Sequence, residues 1–172
     1  MRYAGVIEND FANGEGVSVT VFLQGCHRRC EGCHNPETWS FSGGEEISID
    51  ELINKILTAI PKNGVTRNLS ISGGEPLCDE NISNVRHIIE AIRDKYSFIK
   101  IFCWTGYDYN DLFDNRDRKI SYDLGYILNE VDVLITGPYK KEKRNITLKL
   151  RGSENQHIYR KDKNGVLKMT DE

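Results

Sequence analysis

The sequence predicts an α/β fold built on a largely parallel sheet. Strand-like and helix-like periodicities alternate through the first three quarters of the 172 residues, and the strand-like runs end in turns rich in glycine or cysteine. In residues 17–23, Val17, Val19, Val21 and Leu23 alternate with Ser18, Thr20 and Phe22, the period of a strand, and the run leads straight towards Cys26. A helix is predicted over 49–60, opened by a capping box of Ser48 and Glu51, with Leu52, Ile53, Ile56, Leu57 and Ile60 on one face. Pro61 and Gly64 close it. Residues 68–72 form the next strand, running into Gly73-Gly74-Glu75-Pro76, and the helix after it carries Val85, Ile88, Ile89 and Ile92 on one face. Strands over 100–104 and 131–136 end at Thr105-Gly106 and Thr136-Gly137-Pro138, with a helix over 122–130 between them. Asn164-Gly165 between 157–160 and 166–169 signals a terminal hairpin. In such a sheet ligands collect at the carboxyl ends of the strands, so the glycine turns predict one shared site.

The length suits one domain, 1–172. Twenty-six acidic against twenty-three basic residues leave a net charge of -3, which argues against nucleic acid as a partner. Apolar runs such as 17–23 and 99–104 fall far short of the roughly 18 residues that span a bilayer, and the N-terminus lacks the apolar stretch of a signal peptide. The expected setting is the cytoplasm, with no membrane partner. The cysteine count is odd, at five, and three of them fall within eight residues, which fits reduced thiolates on a metal better than a disulfide framework. Cys78 and Cys103 read as small packed residues.

Cys26-His27-Arg28-Arg29-Cys30-Glu31-Gly32-Cys33 offers three thiolates in a C-x3-C-x2-C pattern on one loop. A structural zinc site would need a fourth ligand, for which His27 or His34 is at hand, whereas a cubane held by three cysteines leaves one iron open to a cofactor or substrate. In the turn after the next strand, Gly73 and Gly74 let the backbone approach a ligand and Glu75 can pair with a ligand ammonium. The plainer reading of that turn is a tight connection.

At these residues the chain resembles the radical S-adenosylmethionine (SAM) superfamily. The resemblance implies an incomplete, open β/α barrel with a mostly parallel sheet and one [4Fe-4S] cluster on Cys26, Cys30 and Cys33, with SAM chelated at the open iron. It also implies that Gly73, Gly74 and Glu75 hold the methionine amino group. The residue before the last cysteine is often aromatic in the superfamily and here is Gly32, so backbone groups of Gly32, Cys33 and His34 become the expected contacts near the adenine. Four stretches narrow the resemblance to the short glycyl radical activases that serve the anaerobic ribonucleoside-triphosphate reductase. These are Cys30 through Trp39, Ser72-Gly73-Gly74-Glu75-Pro76-Leu77, Trp104-Thr105-Gly106-Tyr107, and Arg151-Gly152-Ser153-Glu154-Asn155-Gln156. Thr136 departs from the family, which commonly has Asp before the glycine.

The activity so implied is reductive cleavage of SAM, fed by a flavodoxin or ferredoxin type donor, with hydrogen abstraction from a glycine in the large reductase subunit. Cluster and SAM carry the chemistry and no side chain is needed as a catalytic base. A short domain also has little chain with which to enclose a small substrate, which suits an open site facing a protein loop. The alternatives are activation of another glycyl radical enzyme of the pyruvate formate-lyase type and a non-enzymatic zinc module on three cysteines and a histidine. Trp39, Trp104 and Tyr107 either line the pocket or simply pack. Arg151 and Asn155 either contact cofactor or partner or close their own loop. Lys140, Lys141, Lys143 and Arg144 either dock an acidic partner or form a solvated face.

Overall fold

The computed structural model describes residues 1–114 and 117–170. Eight strands form one sheet in the order β3-β1-β2-β4-β5-β6-β7-β8. They are β1 (Arg2–Asp10), β2 (Ser18–Leu23), β3 (Glu45–Glu46), β4 (Asn68–Gly73), β5 (Ile101–Trp104), β6 (Val133–Thr136), β7 (His157–Lys161) and β8 (Leu167–Thr170). Helices α1 (Ile49–Ala59), α2 (Ile82–Lys95) and α3 (Arg118–Glu130) lie between β3 and β4, β4 and β5, and β5 and β6.

The sheet corrects the fold predicted from the sequence. It is mixed, with β2, β4, β5 and β6 parallel and every pairing outside that block antiparallel, and it is not the open β/α barrel of the radical SAM type. A barrel of that kind repeats the βα unit around its circumference. Among the described residues there are only three crossover helices, enough to set four strands parallel. On one flank β1 turns back through 11–17 onto β2; on the other, 137–156 returns β7 against β6 without a crossover helix.

The helices form as the periodicity requires. Ser48 accepts the Glu51 N–H at 3.2 Å and the Glu51 carboxylate takes the Ser48 N–H at 3.1 Å, completing the capping box of α1. Asp117 caps α3 by accepting the Ile120 N–H at 2.9 Å, without the reciprocal bond. The three helices pack side by side on one face of the parallel block. There Val21, Ile71 and Ile101 from the strands meet Leu52, Ile56 and Ile88 from the helices, all with no exposed surface. Each such side chain contributes about 1.5–3 kcal/mol through burial. On the other face Phe102, Val133, Ile135 and Ile158 form a smaller cluster. Residues 11–16 fold across the buried Ser18 and Ser70, and the Ser70 hydroxyl donates to the Asn13 carbonyl. The carboxyl ends of β2, β4, β5 and β6 therefore open along one edge, with helices behind and loops in front. Among the described residues no helix is long and apolar enough to cross a membrane.

Candidate functional site

The loop that leaves β2 is tied down before it reaches the cysteines. Gln24 is buried, and its side-chain amide donates to the carbonyls of Glu37 (3.0 Å) and Ser40 (2.7 Å). The N–H groups of Gly25 and Cys26 bond the carbonyls of Thr38 (2.8 Å) and Trp39 (3.1 Å), so 35–39 folds back beneath the cysteine loop. Cys26, Cys30 and Cys33 are half-buried free thiols lining one pocket. Burial pushes the Cys26 thiol up, and the amides of Arg28 and Arg29, directed at its sulfur, oppose that shift. Arg29 holds φ at 47°, which side-chain-bearing residues adopt sparingly; the bend lies beside the two amides that face Cys26. The Asn35 N–H points at the Cys33 sulfur at 3.4 Å. Amides aimed at sulfur stabilise thiolate, the form that binds iron.

The turn after β4 forms the next wall. Gly74 donates its N–H to Leu23 O (2.9 Å) and Glu75 donates to Gly25 O (2.8 Å), pressing the two strand ends together. A Cβ on Gly74 would stand 2.3 Å from Gly25 O, and one on Gly73 would stand 2.4 Å from Leu23 N. The Gly-Gly pair thus has a packing cause as well as a place in the pocket. Gly74→Ala is expected to cost about 1–3 kcal/mol or more, because backbone must move to admit the methyl. Chemical denaturation checks this, and an unchanged midpoint would contradict it.

Glu75 is 2 % exposed. Its carboxylate accepts the Leu77 N–H at 3.0 Å, the Thr105 hydroxyl at 2.7 Å and the Gly106 N–H at 2.7 Å, and Arg28 Nε stands 4.0 Å away. Burial raises its pKa, against the pull of Thr105, the two amides and Arg28. A carboxylate offers about four acceptor directions. Three are used inside the protein, so Glu75 joins the turns after β4 and β5 and keeps at most one direction for a ligand. The Arg28 guanidinium lies 4.4 Å over the Tyr107 ring, linking the cysteine loop to the same junction. The buried Asn81 amide adds a tie, donating to Gln24 O and Glu75 O at 3.1 Å each.

The far wall comes from β5, β6 and the loop before β7, through Trp104, Thr105, Gly137, Tyr139 and Gln156. The Trp104 indole N–H donates to Leu150 O at 2.9 Å. Gln156 accepts the Gly152 N–H at 2.8 Å and donates to Gly137 O at 3.1 Å. Arg151 Nη1 donates to Gln156 O at 3.1 Å, and the Asn155 side chain to Pro138 O at 2.8 Å. Arg151 and Asn155 are thus engaged in closing their own loop. Thr136 is buried and its hydroxyl has no hydrogen-bond partner among the described residues.

Of the residues singled out from the sequence, the pocket gathers Cys26, Cys30, Cys33, Gly73, Gly74 and Glu75, together with Trp39 and Trp104. Gly32 and His34 are exposed and are not among the residues lining the pocket, although both adjoin Tyr139, which is; Tyr107 supports Arg28. The histidines face away from a shared metal: His27 bonds Glu80 at 2.8 Å and packs on Phe41, while His34 meets Tyr139 edge-on. Among the described residues no three His, Cys, Asp or Glu side chains are gathered around a point that would hold a single metal ion. Cys78 and Cys103 are buried, with burial raising both thiols, Cys78 to about 12. Lys141 pairs with Glu31 at 2.8 Å, and the rest of the basic run is exposed. Sequence reasoning missed Arg28, Asn81 and Tyr139, whose partners lie on other loops.

Three thiols facing a glycine-rich turn at the end of a parallel block mark an iron–sulfur protein, and residues 12–159 match the family described as a 4Fe-4S single cluster domain. The anaerobic ribonucleoside-triphosphate reductase-activating protein of Vibrio cholerae serotype O1 is 33% identical over 161 residues, covering 93% of this chain and 98% of its own. That of Haemophilus influenzae is 35% identical over 164 residues, with shares of 93% and 98%, and that of phage T4 is 31% identical over 160 residues, with shares of 92% and 94%. The chain belongs to the family of anaerobic ribonucleoside-triphosphate reductase-activating proteins.

Proposed function

We propose that this protein is a radical SAM activase that cleaves SAM reductively at a [4Fe-4S] cluster held by Cys26, Cys30 and Cys33, and so generates a glycyl radical on the large subunit of anaerobic ribonucleoside-triphosphate reductase. The observation that carries this reading is the convergence of the three thiols and the Gly73-Gly74-Glu75 turn on one pocket. The donor set fits the group, because thiols with amides aimed at Cys26 and Cys33 suit iron as thiolates. When bound, the reduced cluster supplies the electron that cleaves SAM, and the cleavage supplies the oxidant that takes a hydrogen atom from the partner's glycine.

The chain's own residues bind, orient and shield. The three cysteines hold the cluster, while Gly73 and Gly74 bring main chain to the pocket where the methionine amino group is placed. Glu75 offers its remaining acceptor direction to that ammonium and keeps the turn rigid through Thr105 and Gly106. Cys33, with the backbone of Gly32 and His34, lies toward the adenosyl side. No side chain needs to move a proton, in keeping with a carboxylate already committed to hydrogen bonds. The pocket is open at the strand ends, which suits a glycine on a flexible partner loop.

A flavodoxin or ferredoxin is the proposed donor. The exposed basic run beside the cysteine loop, joined to it by Lys141 and Glu31, suits an acidic protein. We place the protein in the cytoplasm, where thiols stay reduced; all five cysteines are free. The test is anaerobic reconstitution with iron and sulfide, followed by dithionite and SAM. Methionine and 5'-deoxyadenosine should form in about equal amounts; SAM left intact by iron-replete, reduced protein would contradict the SAM assignment.

A further inference from the structure

We propose that Tyr139 is the residue that binds the adenine ring, supplying from the loop after β6 an aromatic surface at a place where Gly32 has no side chain; the inference rests on the SAM reading above. Three large aromatic residues line the pocket, Trp39, Trp104 and Tyr139. Trp104 is committed to the sheet and the loop in front of it, stacked on Phe102 at 6.3 Å with its N–H given to Leu150. Trp39 belongs to the return of the cysteine loop itself, its carbonyl accepting the Cys26 N–H and its buried indole N–H without a partner among the described residues. Tyr139 alone among these three crosses from the opposite wall to the cysteine loop.

The setting of its ring suits a planar ligand. A Cβ added to Gly32 would lie 3.4 Å from Tyr139 Cε1, and one added to Gly152 would lie 3.1 Å from Cδ2. The ring is therefore bordered by two residues without side chains, and larger residues at either position would crowd it. His34 meets it edge-on with centroids 5.6 Å apart and planes at 73°, which fixes the ring's tilt. Lys141 lies over Gly32 as well and is tied to Glu31, anchoring this segment on the Cys30 to Cys33 turn. The ring thus stands next to the Cys33 end of the loop, the side to which the proposed reading assigns the adenosyl half of SAM. A tyrosine brings a large rigid face at small entropic cost, and stacking of a base on an aromatic ring is sequence-tolerant and strong.

The test is equilibrium binding of two probes, S-adenosylhomocysteine and methionine, to iron-reconstituted protein carrying Tyr139→Leu or Tyr139→Phe. Stacking worth about 1–3 kcal/mol corresponds to a roughly 5- to 150-fold loss. S-adenosylhomocysteine should weaken by that factor in Tyr139→Leu and stay within about twofold in Tyr139→Phe, while methionine binds all three proteins alike. If Tyr139→Leu does not hold iron, Tyr139→His is read instead, with a smaller loss for S-adenosylhomocysteine and none for methionine. Equal binding of S-adenosylhomocysteine by wild type and the ring-deleted variant, or a parallel loss of methionine, would overturn the assignment. Failure of iron-loaded wild type to bind either probe would instead remove the SAM reading on which it rests.

Discussion

Replacing Cys30 by Ala is expected to abolish cluster assembly and, with it, all SAM-dependent chemistry. Cys30 is one of three thiols on the pocket wall, and the neighbouring histidines are directed elsewhere, His27 to Glu80 and His34 to Tyr139. Loss of a direct ligand should exceed the roughly 10- to 100-fold cost of losing an outer partner of a metal site. Iron and sulfide per chain, with the visible absorption of the reconstituted protein, measure the effect. The thermal midpoint of the metal-free protein should barely move, because Cys30 is only half-buried and contributes little to the core. A Cys30→Ala protein that retained full iron and sulfide would show that the ligands lie elsewhere.

Glu75→Gln is expected to have the second largest effect, although it changes one atom. Oε1 accepts from Leu77 N and Thr105 Oγ1, and Oε2 from Gly106 N, so an amide NH2 in either orientation faces a backbone N–H. At least one buried donor is left unsatisfied, at about 1–3 kcal/mol, and the ion pair with Arg28 is lost. For a chain of this size each 1 kcal/mol lowers the thermal midpoint by about 2–4 °C. Thermal denaturation of the metal-free protein should therefore show a drop of several degrees, together with weaker SAM binding in the reconstituted one. A variant as stable as wild type would mean that the carboxylate does not hold the junction of the two turns.

The parts of the fold set by local physics were legible in the sequence. The capping box at Ser48 and Glu51 and the alternation of Val19, Val21 and Leu23 needed no tertiary knowledge, and the structure carries both where expected. Strand β1 was hidden because its burial is interrupted. Only Tyr3 and Asp10 are fully buried, and the pairing with β2 slips on either side of Gly5 to Ile7. The direction of β7 was equally hidden, since 137–156 contains only a short 3-10 turn and gives no sign of returning antiparallel. The sequence predicts no strand over 2–10 and only a hairpin near the C-terminus, so neither flank's direction is fixed; the open barrel is implied by the radical SAM resemblance, and the structure replaces it with a mixed sheet.

The site divides along the same line. The cysteine spacing and the Gly-Gly-Glu turn were visible because each lies within a few residues of chain. The gathering of these motifs in one pocket follows from the parallel block of β2, β4, β5 and β6, whose carboxyl ends lie together. Arg28 has no local sign of a role in the cysteine loop, and its meaning appears only with Tyr107 and Glu75 brought beside it from the turns after β5 and β4. Tyr139 carried no signal except its place after a glycine at a strand end. Arg151, Asn155 and Gln156 formed a recognisable motif, yet the structure gives the first two to loop closure.

The most direct test of the central claim is anaerobic electron paramagnetic resonance of the iron-reconstituted protein mixed with reductant, SAM and the large subunit of the anaerobic reductase. The account predicts a glycyl radical signal on the reductase that requires SAM and is absent with Cys30→Ala. A reduced, SAM-responsive cluster that leaves the reductase without a radical would contradict it.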